Sequence, residues 1–185
     1  MTEAWAKKRE IREISDSTAG LYDEMHAEEQ NAKYSEAVKY LNFAGVRTIL
    51  DAGCGTGLFV EYLGDIGLEI FGVDISIERL KIAHAKFHDR NKVFFVCGDT
   101  DYMPFSDGTL DMGVAFTLID SLPEPSNTLK EFTRVLRRGA QLVVSSLRST
   151  NSPSILEILL RSSNLKLVKL IDREELKDFI AVCKS

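Results

Sequence analysis

From Val46 onward the chain alternates short apolar runs with longer stretches in which apolar residues recur every three or four positions. The short runs fit strands buried on both faces, and the longer stretches fit helices that bury one face. VRTILDAG (46–53) predicts a first strand, EIFGVD ending at Asp74 a second, and VFFVCGD (93–99) a third. LDMGVAFTL (110–118) and AQLVVSSL (140–147) predict the fourth and fifth. Between them, Phe59, Leu63 and Ile66 stand at helical spacing, as do Leu80, Ala83 and Phe87, then Leu129, Phe132, Val135 and Leu136. Ser76 is placed to cap the second of these helices and Gly139 to stop the third. Pro153 opens a further helix, SILEILLRS, where a missing N–H costs little. Such alternation predicts an α/β fold, a parallel sheet covered by helices.

The last stretch departs from the pattern. LKLVKLID and DFIAVCKS read as strands separated by only a few polar residues, too few for a helical crossover, so they are expected to pair antiparallel. Residues 1–44 read as helices placed ahead of the sheet. The expected organisation is a single domain over 1–185, with its sheet-forming core at 46–185.

A chain of 185 residues can bury one core, and 44% hydrophobic with 28% charged residues is the balance of a globular protein. The formal charge of -5 argues against unaided grip on a nucleic-acid backbone, which takes a basic patch. Cys54, Cys97 and Cys183 are widely spaced and form no CxxC pair, so neither a disulfide framework nor a metal site is expected. The polar start, MTEAWAKKREIREIS, lacks the apolar region of a secretory leader, and no run approaches the roughly 20 apolar residues of a membrane span. A reduced, cytoplasmic setting follows as the expectation.

The chemistry concentrates in ILDAGCGTG (49–57), between the first strand and the first helix. Gly53 allows a sharp turn out of the strand, Gly55 lets the backbone approach a ligand, and Gly57 brings the helix close to the strand. Asp74 closes the second strand about twenty residues later, where a carboxylate can accept from both hydroxyls of a ribose. A nicotinamide-dependent dehydrogenase would share these features, but its GxGxxG fingerprint needs glycine where Leu58 stands.

The ordered set ILDAGCGTG, GVDIS, CGDTDYMPFSDGTLDMGVAF and LKEFTRVLRRGAQLVVSS resembles the class I S-adenosylmethionine-dependent methyltransferases. It is most similar to the subfamily typified by ubiquinone and menaquinone biosynthesis methyltransferases. The resemblance implies a Rossmann-like open sheet of order 3-2-1-4-5-7-6 with strand 7 reversed, and S-adenosylmethionine as cofactor. It implies cofactor contacts at Asp51, Gly53, Gly55, Gly57, Asp74, Ile75 and Phe116, with Asp99 meeting the adenine amino group and the Thr100 backbone meeting the ring. Two departures stand out: Gly139-Ala140 replaces a common glycine pair, and Asp120-Ser121 replaces histidines found before the Leu-Pro turn in many relatives.

Methyl transfer needs few obligatory side chains, because the sulfonium is already electrophilic. An inactive cofactor-binding homologue acting through a protein partner is therefore the alternative reading. Tyr22, His26 and Tyr34 are candidates for the substrate side, with Tyr22 placed to close over the cofactor. Asp120, after the fourth strand, is the candidate base, against a role as a turn cap. A small-molecule acceptor is expected ahead of RNA or protein. The apolar run Val93–Val96 falls on an outer strand in this order, so it is a candidate docking edge for a protein partner, unless it is ordinary covered core.

Overall fold

The computed structural model describes residues 3–185. Two helices come first, α1 (Glu3–Thr18) and α2 (Tyr22–Val38), joined by a 3-10 turn. Then follow β1 (Thr48–Ala52), α3 (Leu58–Leu63), β2 (Glu69–Asp74), α4 (Ile77–Phe87), β3 (Val93–Cys97) and β4 (Leu110–Ala115). The chain continues through α5 (Pro125–Val135), β5 (Leu136–Leu147), α6 (Pro153–Ser162), β6 (Lys166–Ile171) and β7 (Asp178–Lys184). The seven strands form one sheet of order β3-β2-β1-β4-β5-β7-β6. Strand β7 runs antiparallel to both β5 and β6, and the other neighbours pair in parallel. The expected architecture is thus the observed one.

Strand periodicity divides the core between the two faces. Leu50, Leu142, Val144, Ala181 and Cys183 join Leu129 and Phe132 of α5 and Leu156 and Leu160 of α6. Their neighbours Ile49, Val143, Ile180 and Val182 point the other way, toward Tyr34 and Ala37 of α2, Phe59 of α3 and Phe87 of α4. Gly113 lets α5 sit close: a Cβ there would stand 2.9 Å from the Phe132 ring. Ser76 caps α4 as expected, its hydroxyl accepting from the Arg79 N–H at 3.2 Å.

Three local expectations need correction. Helix α3 ends at Leu63, where Gly64 takes a φ of 65°, so Ile66 falls in the following turn with its side chain exposed. Helix α5 ends at Val135, and Leu136 is already paired with Leu110 in the sheet. Gly139 is therefore no helix stop; it lies inside β5, in the stretch where the pairing jumps from Leu110↔Leu136 to Met112↔Gln141. Its positive φ of 80° serves that irregularity, and its N–H donates to the Ser185 carbonyl at 2.8 Å.

At the β3 margin, Phe94 is 42% exposed and stacks on Phe71, whereas Phe95 turns inward against Phe87 and His84. The alternation shows that β3 is not covered on both faces. No helix among the described residues is long and apolar enough to cross a membrane.

Candidate functional site

In a parallel sheet the loops at the carboxyl ends of the strands form the ligand-binding edge. Here the β1–α3 loop is held against β2. The N–H groups of Gly53 and Cys54 both donate to the Val73 carbonyl, at 2.7 and 3.2 Å. Gly55 N–H donates to Asp74 Oδ2 and Ser76 N–H to Asp74 Oδ1, each at 2.8 Å. Burial pushes the Asp74 carboxyl up, and these two bonds oppose that rise. Asp74 thus fixes the loop while keeping lone pairs directed at the cleft.

The glycines of the loop have separate tasks. Gly57 caps α3 with a φ of 82°, and a Cβ there would meet the Phe87 ring at 2.6 Å. Its close approach is thus to α4. At Gly55, φ is 54° and the nearest atoms to a built Cβ, on Arg79 and Tyr22, are 3.9 Å away. A Cβ there would touch both side chains at ordinary contact distance without a clash. Beneath it, Asp51 is buried, its Oδ2 has no partner, and burial followed by the charge of Asp74 pushes its pKa up to about 7.

The opposite wall comes from α1. Lys8, Ile11 and Ser15 line a cleft shared with Gly53, Asp74, Ile75, Arg79, Asp99, Thr100, Thr117 and Leu118. The Lys8 ammonium donates to Asp99 at 2.7 and 2.8 Å and to Asp101 at 2.5 Å. Burial opposes the lysine's charge, but Asp101 and Asp99 outweigh it and raise its pKa. Further along α1, Asp16 Oδ1 accepts from Ser76 Oγ at 2.6 Å and from the Glu78 N–H at 3.2 Å. Two polar clasps therefore hold α1 across the cleft.

Helix α2 closes the glycine-loop end. The Tyr22 ring lies beside Gly55, with the Arg79 guanidinium 4.1 Å from its centroid and the His26 ring at 4.8 Å. Asp23 bonds Thr56 and pairs with Lys86, tying α2 to the loop and to α4. One face of α2 then buries polar groups, which is informative because such groups are normally exposed. Lys33 is fully buried and donates to Thr117 Oγ1 at 2.7 Å and to Asp178 Oδ1 at 3.2 Å. Gln30 Nε2 also donates to Thr117 Oγ1, at 3.1 Å. Thr117 has a φ of 53°, unusual for a β-branched residue, and its N–H donates to Ser145 Oγ, which donates to Asp178.

The candidates read from sequence separate into two groups. Gly53, Asp74, Ile75, Asp99 and Thr100 line one cleft, Gly55 and Tyr22 border it, and His26 sits beside Tyr22. Tyr34 and Phe116 go elsewhere: their rings meet at 4.8 Å inside an aromatic cluster with Phe59, and both are buried. Burial lifts the Tyr34 hydroxyl well above its ordinary pKa, and the charges of Asp51 and Asp23 add to the rise. Asp120 is no free base either. Its oxygens accept from Ser146 Oγ at 2.8 Å, Leu147 N–H at 2.9 Å, Thr150 Oγ1 at 3.1 Å and Asn151 Nδ2 at 2.7 Å. Those four donors commit the carboxylate to holding the turn after β5. Lys8, Gln30, Lys33, Arg79 and Thr117 were not anticipated; the nearest signal was polar residues at helical spacing in α1 and α2.

Comparison with known proteins bears on the same cleft. A family model described as a methyltransferase domain matches residues 50–144. The demethylmenaquinone methyltransferase of Staphylococcus saprophyticus is 28% identical over 161 residues, covering 83% of this chain and 69% of that protein. The sterol 4-C-methyltransferase strm-1 of Caenorhabditis elegans is 35% identical over 107 residues, 55% of this chain and 31% of that one. The chain thus spans between about a third and about two thirds of the length of these two curated relatives. Among solved structures, magnesium protoporphyrin IX methyltransferase from Synechocystis, with bound SAM, superposes with a TM-score of 0.80 at 18% identity, covering 100% of both chains. A complex of a Haloferax volcanii methyltransferase activator with a methyltransferase gives 0.77 at 20% identity, covering 92% of this chain and 96% of that one. At such identities these likenesses concern the fold alone. The family match takes in the glycine loop from Asp51 on, Asp74 and Asp99, and the chain belongs to the methyltransferase domain family.

Proposed function

We propose that residues 1–185 act as one S-adenosylmethionine-dependent methyltransferase unit that modifies a small-molecule acceptor. The cleft suits the cofactor on its own chemistry. Asp99 already accepts from Lys8 through both oxygens and from the Asp101 N–H, which leaves one acceptor site for the adenine amino group, and Asp74 keeps acceptor capacity for ribose hydroxyls. A Cβ at Gly55 would take the space beside Arg79 and Tyr22 at the border of the cleft. The buried, unpartnered Oδ2 of Asp51 suits a cationic ligand. When bound, the cofactor supplies an electrophilic methyl group.

The chain's own residues then have to hold the acceptor and exclude water. Helix α1 covers the adenosine end through Lys8 and Asp16, and Tyr22 covers the glycine loop. Thr117 lines the end of the cleft left for the acceptor. Thr117 is preset by Lys33 and Gln30, and His26, beside Tyr22, is the group assigned to take a proton, with Asp120 committed elsewhere. The two curated relatives named above carry the names of a demethylmenaquinone and a sterol methyltransferase, which supports a small-molecule acceptor.

The observation that carries this reading is the joining of Gly53, Asp74 and Asp99 in one cleft. Incubation with methyl-labelled cofactor and small-molecule cell extract is expected to label an extractable product. Label found only in protein or RNA fractions would overturn the acceptor class.

A further inference from the structure

Arg79 is a cation at the cleft without an acidic side chain bonded to it among the described residues. It projects from the first turns of α4 and lines the cleft with Gly53 and Asp74. Its Nε is buried and has no hydrogen-bond partner. The guanidinium lies 4.1 Å from the Tyr22 ring centroid, which holds its plane, and its Cδ stands 3.9 Å from where a Gly55 Cβ would be. Asp74 feels its charge, but no hydrogen bond joins the two side chains, and the Asp74 oxygens hold the Gly55 and Ser76 N–H groups. A buried donor left unpaired is costly, so this arrangement is built for an acceptor that arrives with a ligand.

We propose that Arg79 anchors the carboxylate at the amino-acid end of S-adenosylmethionine, which rests on the cofactor reading above. The other cation in the cleft lining, Lys8, is already paired with Asp99 and Asp101 at the adenosine end, so Arg79 is the cation there with no acidic side chain bonded to it among the described residues. The cofactor carries one anionic group, its carboxylate. Arg79, beside Gly55 and stacked on Tyr22, presents the planar fork that such a group accepts in bidentate fashion. Tyr22 thereby has a positioning role: it orients the guanidinium.

The test compares two ligands by calorimetry. S-adenosylhomocysteine has the amino-acid tail; 5′-methylthioadenosine shares the adenosine and the thioether but lacks the carboxylate. Arg79→Met is expected to weaken S-adenosylhomocysteine roughly 10- to 150-fold, the worth of a charged hydrogen bond, and to leave 5′-methylthioadenosine within about twofold. Arg79→Lys is expected to fall between. Arg79→Gln repeats the test if the methionine variant does not fold. Unchanged affinity for both ligands, or equal loss of both, overturns the proposal, the second outcome marking a merely structural stack on Tyr22. If the wild-type chain binds neither ligand, the cofactor reading itself falls, and this inference with it.

Discussion

Gly55 and Gly57 sit two residues apart in one loop, yet alanine at the two positions should have opposite consequences. Gly57→Ala meets two obstacles. A φ of 82° costs a residue with a Cβ about 1–2 kcal/mol, and that Cβ would stand 2.6 Å from the Phe87 ring, which packs against Phe95 and has little room to retreat. Overpacking of this kind costs about 1–3 kcal/mol, so the total is roughly 2–5 kcal/mol. For a chain of this size that lowers Tm by roughly 5–15 °C. Gly55→Ala meets only the strain of a φ of 54°, because nothing lies within 3.9 Å of its Cβ, and its Tm should fall by roughly 2–8 °C. Its Cβ, however, fills the space between Tyr22, Arg79 and the cleft. Thermal unfolding and S-adenosylhomocysteine titration on both variants read the difference: Gly57→Ala mainly loses Tm, and Gly55→Ala mainly loses affinity, by tenfold or more. Equal losses of stability, or wild-type affinity in Gly55→Ala, would refute this division of labour.

Three further outcomes follow from the buried charges. Lys33→Met leaves Asp178 buried without its cation and should cost about 3–5 kcal/mol in denaturant unfolding, much of it recovered when Asp178→Leu is added. Asp120→Ala should lower stability by about 1–3 kcal/mol yet leave methyl transfer to an identified acceptor largely intact, whereas a catalytic base would lose its rate. Asp51, with a pKa of about 7 against an ordinary value near 4, holds its proton in the folded chain where the unfolded chain has lost it. Its contribution to stability therefore falls as pH rises from about 4 to about 7, and Asp51→Asn should remove that slope. The cationic cofactor favours ionised Asp51, so its affinity should climb as pH rises from 6 to 8, with proton release on binding.

The sheet was legible because hydrophobic periodicity reports burial directly. Its antiparallel finish was legible because the gap between LKLVKLID and DFIAVCKS is too short for a crossover. The glycine loop and Asp74 stood out because a tight turn and a strand-end carboxylate restrict residue type at fixed spacing, whereas Asp99 was reached only through the family resemblance. The walls of the cleft were not legible. Lys8 meets Asp99 across 91 residues and Lys33 meets Asp178 across 145, and within their helices each reads as an ordinary solvated charge. Tyr34 and Phe116 were misplaced for the converse reason, since an aromatic near a site can equally be core. Gly139 at the end of an apolar helical stripe looked like a stop signal, but sheet pairing captured Leu136 first. The burial of Lys33 against Asp178 also makes α2 integral to the sheet: a truncation starting near Val46 would strand Asp178 and should not fold as a soluble core.

The claim on which everything else depends is that the cleft between α1 and the glycine loop binds S-adenosylmethionine. Calorimetric titration of the full chain with S-adenosylhomocysteine and with NAD, repeated on Asp74→Asn, tests it most directly. The account requires one-to-one binding of S-adenosylhomocysteine, a loss of about tenfold or more in Asp74→Asn, and no binding of NAD. Binding of NAD with no heat from S-adenosylhomocysteine, or wild-type affinity in Asp74→Asn, would contradict it.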